Sequence, residues 1–189
     1  MLPILDIPVL LPFKRTHGER WMTDRERAAI IGLLSQIGAR RVIEIGCNEG
    51  HLAFDVLHHL LTIDIYTGID IAPFSAHLPS ILAQHSEVPG TWAGRLVLDH
   101  PKFVLQTYPR GSLDLLRLPP CDAVIIDGDH SEAAVRHDTA LATAAVRQGG
   151  VIIWHDYADW EGCGVPAVLE SLDGDIKHVA DTALAVEFR

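Results

Sequence analysis

Arg41-Val42-Ile43-Glu44-Ile45-Gly46-Cys47-Asn48-Glu49-Gly50 is the stretch around which the rest of the chain can be ordered. Arg41 to Ile45 is short and rich in β-branched residues, as a strand should be, and Gly46 closes it. From about Gly50 to Leu61 the residues Leu52, Val56, Leu57 and Leu60 recur at helical spacing. A strand, a glycine turn and a helix therefore follow one another. Upstream, Thr23-Asp24-Arg25-Glu26 has a capping-box pattern, with Ala29, Ile30, Leu33, Leu34 and Ile37 on one helical face before Gly38. Downstream the alternation continues: strand Ile63 to Ile69, helix Ser75 to about His85, strand Phe103 to Gln106, short helix near Leu113, strand Ala123 to Asp127. A long helix from Ser131 to Arg147 and a strand Val151 to Trp154 follow. Ile176 to Val179 and Ala183 to Phe188 are separated only by a turn at Asp181-Thr182, too short for a crossover, so they form an antiparallel hairpin. The expected fold is α/β: a Rossmann-like, doubly wound, mostly parallel seven-stranded sheet ending in that hairpin.

The chain has 189 residues and a mass of 20.7 kDa, enough for one sizeable core without a disulfide or metal. We divide it into an N-terminal arm, residues 1–22, and a single domain, 23–189. With 15 basic and 25 acidic residues the formal charge is −10, which argues against nucleic acid as a partner. No run of 18 apolar residues is present, so no membrane-spanning helix is expected. The apolar opening Met1 to Leu11 holds Asp6, Pro3 and Pro8, and Lys14 and Arg15 follow rather than precede it, unlike an export signal. It reads as a packed or swapped arm. Cys47, Cys121 and Cys163 have no metal-type spacing and fit a reducing cytoplasm. The arm and the hairpin edge make a homodimer reasonable.

In open α/β sheets ligands lie beyond the carboxyl ends of the strands. There the chain places Gly46 and Gly50, a turn that lets a nucleotide-like ligand approach the backbone. The spacing is G-x-x-x-G, not the G-x-G-x-x-G of a pyrophosphate turn, so a nicotinamide dehydrogenase is disfavoured. Asp70, about twenty residues later, either accepts hydrogen bonds from a ribose diol or caps the following helix. The densest group is Val124-Ile125-Ile126-Asp127-Gly128-Asp129-His130 with Val151-Ile152-Ile153-Trp154-His155-Asp156-Tyr157. Asp127 and Asp156, with His155, have the chemistry to hold Mg²⁺ or Mn²⁺, and His130 that of a general base. Asp129 or Ser131 reads as the cap of the long helix. Trp92, Trp154 and Trp160 read as packing more than as a pocket wall, and His58-His59 as a solvent-facing pair.

These motifs resemble the class I S-adenosylmethionine-dependent methyltransferases. Val42 to Gly50 looks like their first motif, whose turn holds the methionine part of the cofactor, and Gly68-Ile69-Asp70 like the acidic strand end that binds the ribose. Ile125 to Ser131 with Gly149 to Tyr157 is similar to a subgroup of small O-methyltransferase-like, macrocin-type sugar methyltransferase and cephalosporin-hydroxylase-like proteins. Arg110-Gly111-Ser112 resembles the segment that touches the adenine, without its usual acidic neighbour. The resemblance covers roughly Thr23 to Tyr157 and implies that residues 23–189 form a class I methyltransferase-like domain. It implies cofactor contacts at Glu44, Gly46, Asn48, Gly50, Asp70, Gly111, Ser112 and Asp127, a metal at Asp127, His155 and Asp156, and a base at His130. His155 stands where metal-dependent members carry an acidic ligand, which lowers the negative charge offered to an ion. The implied activity is methyl transfer from S-adenosylmethionine to a small hydroxylated molecule, with Mg²⁺ or another divalent cation assisting. The alternatives are a metal-dependent hydrolase or hydroxylase-like protein and a non-catalytic S-adenosylmethionine-binding protein.

Overall fold

The computed structural model describes residues 1–7, 21–72, 75–76, 92–158 and 160–189. The helix expected from Ser75 to about His85 lies almost wholly outside them. The described elements are β1 (Ile4–Leu5), α1 (Asp24–Gln36), β2 (Arg41–Ile45), α2 (His51–His59), β3 (Ile65–Ile71), β4 (Phe103–Tyr108), a 3₁₀ turn (Gly111–Asp114), β5 (Cys121–Ile126), α3 (Glu132–Ala145), β6 (Val146–Trp154), α4 (Val165–Leu169), β7 (Lys177–Val179) and β8 (Ala185–Phe188). The strands form one sheet in the order β1-β7-β8-β6-β5-β2-β3-β4. Every pairing from β6 to β4 is parallel, and β8 is antiparallel to both β6 and β7. The fold is the expected Rossmann-like α/β sheet with its antiparallel C-terminal hairpin.

Successive strand residues feed opposite faces, as the pleat requires. Val42, Ile125 and Ile153 pack with Ile30, Leu33, Leu52 and Val56 of α1 and α2. Ile43, Val124 and Ile152 pack with Val135, Leu141 and Ala142 of α3 and Val168 of α4 on the other side. Helix α1 begins as its sequence demands: the Thr23 side chain accepts from Glu26 N at 3.2 Å, and Glu26 Oε2 accepts from Thr23 N at 2.7 Å. Helix α3 starts at Ser131, whose Oγ accepts from Ala134 N, while Asp129 Oδ1 accepts from Ser131 N at 2.7 Å. Among the described residues, no helix is long and apolar enough to cross a membrane.

Three features differ from expectation. The arm adds an eighth strand: β1 pairs in parallel with β7, Ile4 opposite His178, and covers the hairpin's outer edge. That edge, one ground for expecting a homodimer, is thus already paired within the chain. Helix α4, between the last parallel strand and the hairpin, carries too few residues for a readable period. Finally β6 begins at Val146, so the long helix stops two residues early. Gly149 and Gly150 form a bulge rather than a break: Cys121 and Ala123, two positions apart, face Val146 and Val151. A Cβ on Gly150 would stand 2.4 Å from the Asp122 carbonyl oxygen, so the strands approach this closely only with glycine there.

Candidate active site

Strand β2 has β3 on one side and β5 on the other, and chain direction along the sheet reverses at the β2/β5 boundary. This is the switch point beyond which a doubly wound sheet offers a crevice. Gly46 leaves β2 there with φ +86°, and a Cβ on it would lie 2.1 Å from the Asp127 carbonyl oxygen. Only glycine allows that approach. Asn48 (φ 45°) and Gly50 (φ 88°) complete a left-handed turn into α2. Residues 92–97 pack against it: Gly94 N donates to Asn48 O at 2.6 Å, and Leu96 N to Glu49 O at 3.0 Å.

Asp70, at the end of β3, secures the same turn. Its Oδ2 accepts from Asn48 N and its Oδ1 from Ile71 N, each at 2.7 Å. Burial pushes its carboxyl up to about 6, against the lowering effect of these backbone donors. The Cys47 thiol also faces this carboxylate, and the acceptor capacity left over suits a ribose hydroxyl. Gly111 (φ +59°) brings the 3₁₀ turn against the same strand end, where its Cβ would lie 3.7 Å from Ile71 N. Glu44 behaves differently. It is 2% exposed, accepts from Tyr66 Oη at 2.9 Å, and is pushed up to about 8 by burial, with Asp127 and Asp70 adding to the effect. It lies inside the sheet, behind the turn.

Beyond β5 and β6, four acidic and imidazole groups meet. His130 Nε2 is 2.6 Å from Asp156 Oδ2. His155 Nδ1 is 3.0 Å from Asp127 Oδ1 and 3.1 Å from Asp156 Oδ2. Ionised carboxylates only accept, so Nδ1 of His155 carries a proton shared between them. His155 is 5% exposed, and burial alone would lower its pKa. Asp127, Asp156 and Glu26, whose Oε2 lies 3.7 Å from Nε2, outweigh that and hold it well above the ordinary imidazole range. Burial likewise opposes the charge of Asp156, but hydrogen bonds from His130 and His155 hold its carboxyl below the usual range. Its bond to Asp156 raises the pKa of His130. Asp156 adopts φ 57°, a strained value for a residue with a side chain, at the point where β6 gives way to the following loop.

That loop returns over His130. Trp160, 45% exposed, sets its ring edgewise 5.3 Å from the His130 ring, and Gly164 N donates to His130 O at 2.7 Å. Trp154 is instead wholly buried in the core, its Nε1 donating to Thr139 Oγ1, and Trp92 is also buried. His58 and His59 are exposed. Among the described residues, Asp127, His130 and Asp156 offer ligand atoms within 4.8 Å of one another. His155, expected as a ligand, lies outside this trio, its Nδ1 occupied by the two carboxylates. Two carboxylates and an imidazole fit a first-row divalent ion better than Mg²⁺, which favours oxygen.

Two residues joined to this region were not picked out from sequence as functional. Glu26 was read as a helix-capping residue, and its approach to His155 carries no local signal. Asp138 lies on the apolar stripe of α3 formed by Ala134, Val135, Leu141 and Ala142. An acid on a buried stripe is a signal that helical spacing could have exposed.

Residues 43–157, more than half of the chain, match the family described as a methyltransferase domain. The chain belongs to this methyltransferase family. Sequence match and sheet order together make it a class I methyltransferase domain. Solved structures share the domain's fold at low identity. The S-adenosylhomocysteine-bound methyltransferase from Podospora anserina is 14% identical at a TM-score of 0.60, with 88% of this chain and 78% of that one covered. The O-methyltransferase of tomaymycin synthesis from Streptomyces achromogenes, solved with S-adenosylmethionine, is 17% identical at 0.56, covering 88% and 81%. A Staphylococcus aureus chain described as a caffeoyl-CoA O-methyltransferase is 13% identical at 0.51; the match covers 69% of this domain's chain and only 56% of that one. No curated protein matches the sequence.

Proposed function

We propose that this methyltransferase domain transfers a methyl group from S-adenosylmethionine to a hydroxyl oxygen of a small acceptor. The observation that carries the proposal is the meeting of Gly46 and Asp127 at the switch point, with the His130–Asp156 pair on the same rim. S-adenosylmethionine- and S-adenosylhomocysteine-bound structures with this fold support the choice of cofactor. The residues present suit it: Gly46, Asn48 and Gly50 make a left-handed turn at the switch point, and Asp70 beside that turn keeps acceptor capacity for a ribose hydroxyl. Glu44 would contribute from behind, keeping the turn's floor neutral and dry, rather than by contact.

When bound, the cofactor supplies an electrophilic methyl group. The chain's own contribution is to orient the acceptor and take its proton. With Nε2–H of His130 donated to Asp156, the lone pair of the ring sits on Nδ1, the atom that would receive the hydroxyl proton. Asp156 orients this imidazole as a carboxylate does in other acid–base pairs. A divalent ion on Asp127, His130 and Asp156 would instead lower the hydroxyl's pKa, with His130 as ligand.

Calorimetric titration with S-adenosylmethionine and S-adenosylhomocysteine, with Mn²⁺ or Mg²⁺ and again with a chelator, tests the reading. Micromolar binding is expected. Absence of binding under every condition overturns it, and a metal-dependent affinity assigns the trio to an ion.

A further inference from the structure

His155 stands between the two carboxylates that an ion at this rim would have to share. Its Nδ1 is 3.0 Å from Asp127 Oδ1 and 3.1 Å from Asp156 Oδ2, so one N–H lies between an oxygen from each strand end. A neutral imidazole already carries that hydrogen, and the bridge asks nothing of the ring's charge. Asp156 Oδ2 also meets His130 Nε2 at 2.6 Å. That single oxygen accepts from both imidazoles, and the His130 nitrogen facing it carries a hydrogen instead of a lone pair. The residue types at Asp127, His130 and Asp156 suit a divalent ion, as does their spacing. Their hydrogens do not, because a metal needs the lone pairs that these N–H groups occupy. Nor is the bridging ring free to leave. His155 N donates to Ile126 O at 3.0 Å and Asp127 N to Ile45 O at 2.8 Å, which fixes both main chains to the sheet. The His155 side chain is 5% exposed, and Glu26 of α1, held by Thr23 N and Ala183 N, stands 3.7 Å behind its Nε2.

We propose that His155 is a positioning residue that takes the place of a metal ion: its Nδ1–H joins Asp127 to Asp156, holds Asp156 on His130, and leaves the site without micromolar affinity for a divalent cation. The proposal rests on the reading of His130 and Asp156 as the acid–base pair of methyl transfer. That transfer then proceeds without an ion, the acceptor's hydroxyl proton passing to Nδ1 of His130.

The test reads Mn²⁺ binding directly, by electron paramagnetic resonance and calorimetry, on the native chain, His155→Ala and His155→Asp. Thermal melting and S-adenosylhomocysteine affinity are measured for each in Mn²⁺ and in chelator. The native chain should show no micromolar Mn²⁺ binding, an unchanged melting temperature and an S-adenosylhomocysteine affinity within about twofold between the two conditions. His155→Ala frees Asp127 and Asp156, and His155→Asp adds a further carboxylate. Each should bind Mn²⁺ at least about tenfold more tightly than the native chain and be stabilised by it, with the aspartate variant the tighter of the two. A merely structural His155 would lower the melting temperature of its variants without any gain in Mn²⁺ affinity. Micromolar Mn²⁺ binding by the native chain overturns the proposal, as does a folded His155→Ala chain whose Mn²⁺ affinity is unchanged. Should His155→Asp fail to fold, the native and alanine chains still decide. If the native chain binds no S-adenosylhomocysteine in either condition, the cofactor reading is overturned, while the Mn²⁺ comparison still decides the role of His155.

Discussion

Gly46 shows how much can rest on one missing side chain. Its φ of +86° and the 2.1 Å separation that a Cβ would have from the Asp127 carbonyl oxygen leave no room for any other residue. Because that neighbour is backbone, it cannot swing aside. Gly46→Ala should therefore separate β2 from β5 at the switch point and cost more than about 3 kcal/mol, beyond the usual range for one substitution. Urea denaturation would show it, and a midpoint near that of the native chain would contradict the geometry. His130 presents the opposite case, a partly exposed ring with little packing to lose. His130→Ala should lower kcat by about 10² to 10⁴, the usual contribution of general acid–base help, with S-adenosylhomocysteine affinity within about twofold. An unchanged kcat would remove His130 from proton transfer.

The first two helices are joined by more than apolar packing. Arg27 of α1 and Asp55 of α2 form an ion pair with both side chains fully buried. Such pairs add little net stability compared with apolar replacements, but breaking one by removing a single partner leaves a buried charge. Arg27→Met should destabilise by about 3 to 5 kcal/mol, and the double variant Arg27→Met with Asp55→Leu should recover much of that. Chemical denaturation of the two variants decides it: equal losses would mean the charges do not act as a pair. At the other side of the sheet, α3 leans on its cap. Ser131→Ala removes the acceptor for Ala134 N and should cost about 1 kcal/mol, a loss that a thermal melt would read as a few degrees.

Across the whole molecule, buried carboxyls of opposite behaviour set the pH range of stability. Glu44, at about 8, and Asp70 and Asp138, at about 6, all hold protons more tightly folded than unfolded. Their contribution is complete below about pH 4 and is lost as pH rises through those values. Glu26 runs the other way: burial opposes its charge, but the nearby His155 ring and hydrogen bonds from Ala183 and Thr23 hold it at about 2. Its contribution is present above about pH 4.5 and is lost as pH falls toward 2. The melting temperature should accordingly peak at about pH 4 and decline toward pH 8, and Glu44→Gln should flatten the decline. A melting temperature that climbs steadily from pH 5 to pH 8 would refute this balance.

Alternating short apolar runs and capped helical stripes were enough to read the sheet, its hairpin, the glycine turn and the acidic strand ends, because each is written in residues a few positions apart. Arg41 to Ile45 matches its strand residue for residue. Asp129 and Ser131 cap α3 much as their side chains suggest, since a cap is a local bargain between neighbouring groups. Ile4–Leu5 could not be read as a strand, because a two-residue segment has no period and its partner, His178-Val179, lies at the other end of the chain. The roles inside the acidic cluster were hidden for the same reason. His155 and Asp127 are 28 positions apart, and whether an imidazole binds an ion or bridges two carboxylates depends on where folding points its nitrogens. The fold followed from local chemistry repeated along the chain, whereas the partners of His155, Asp138 and Glu44 depend on which distant groups share their low-dielectric surroundings.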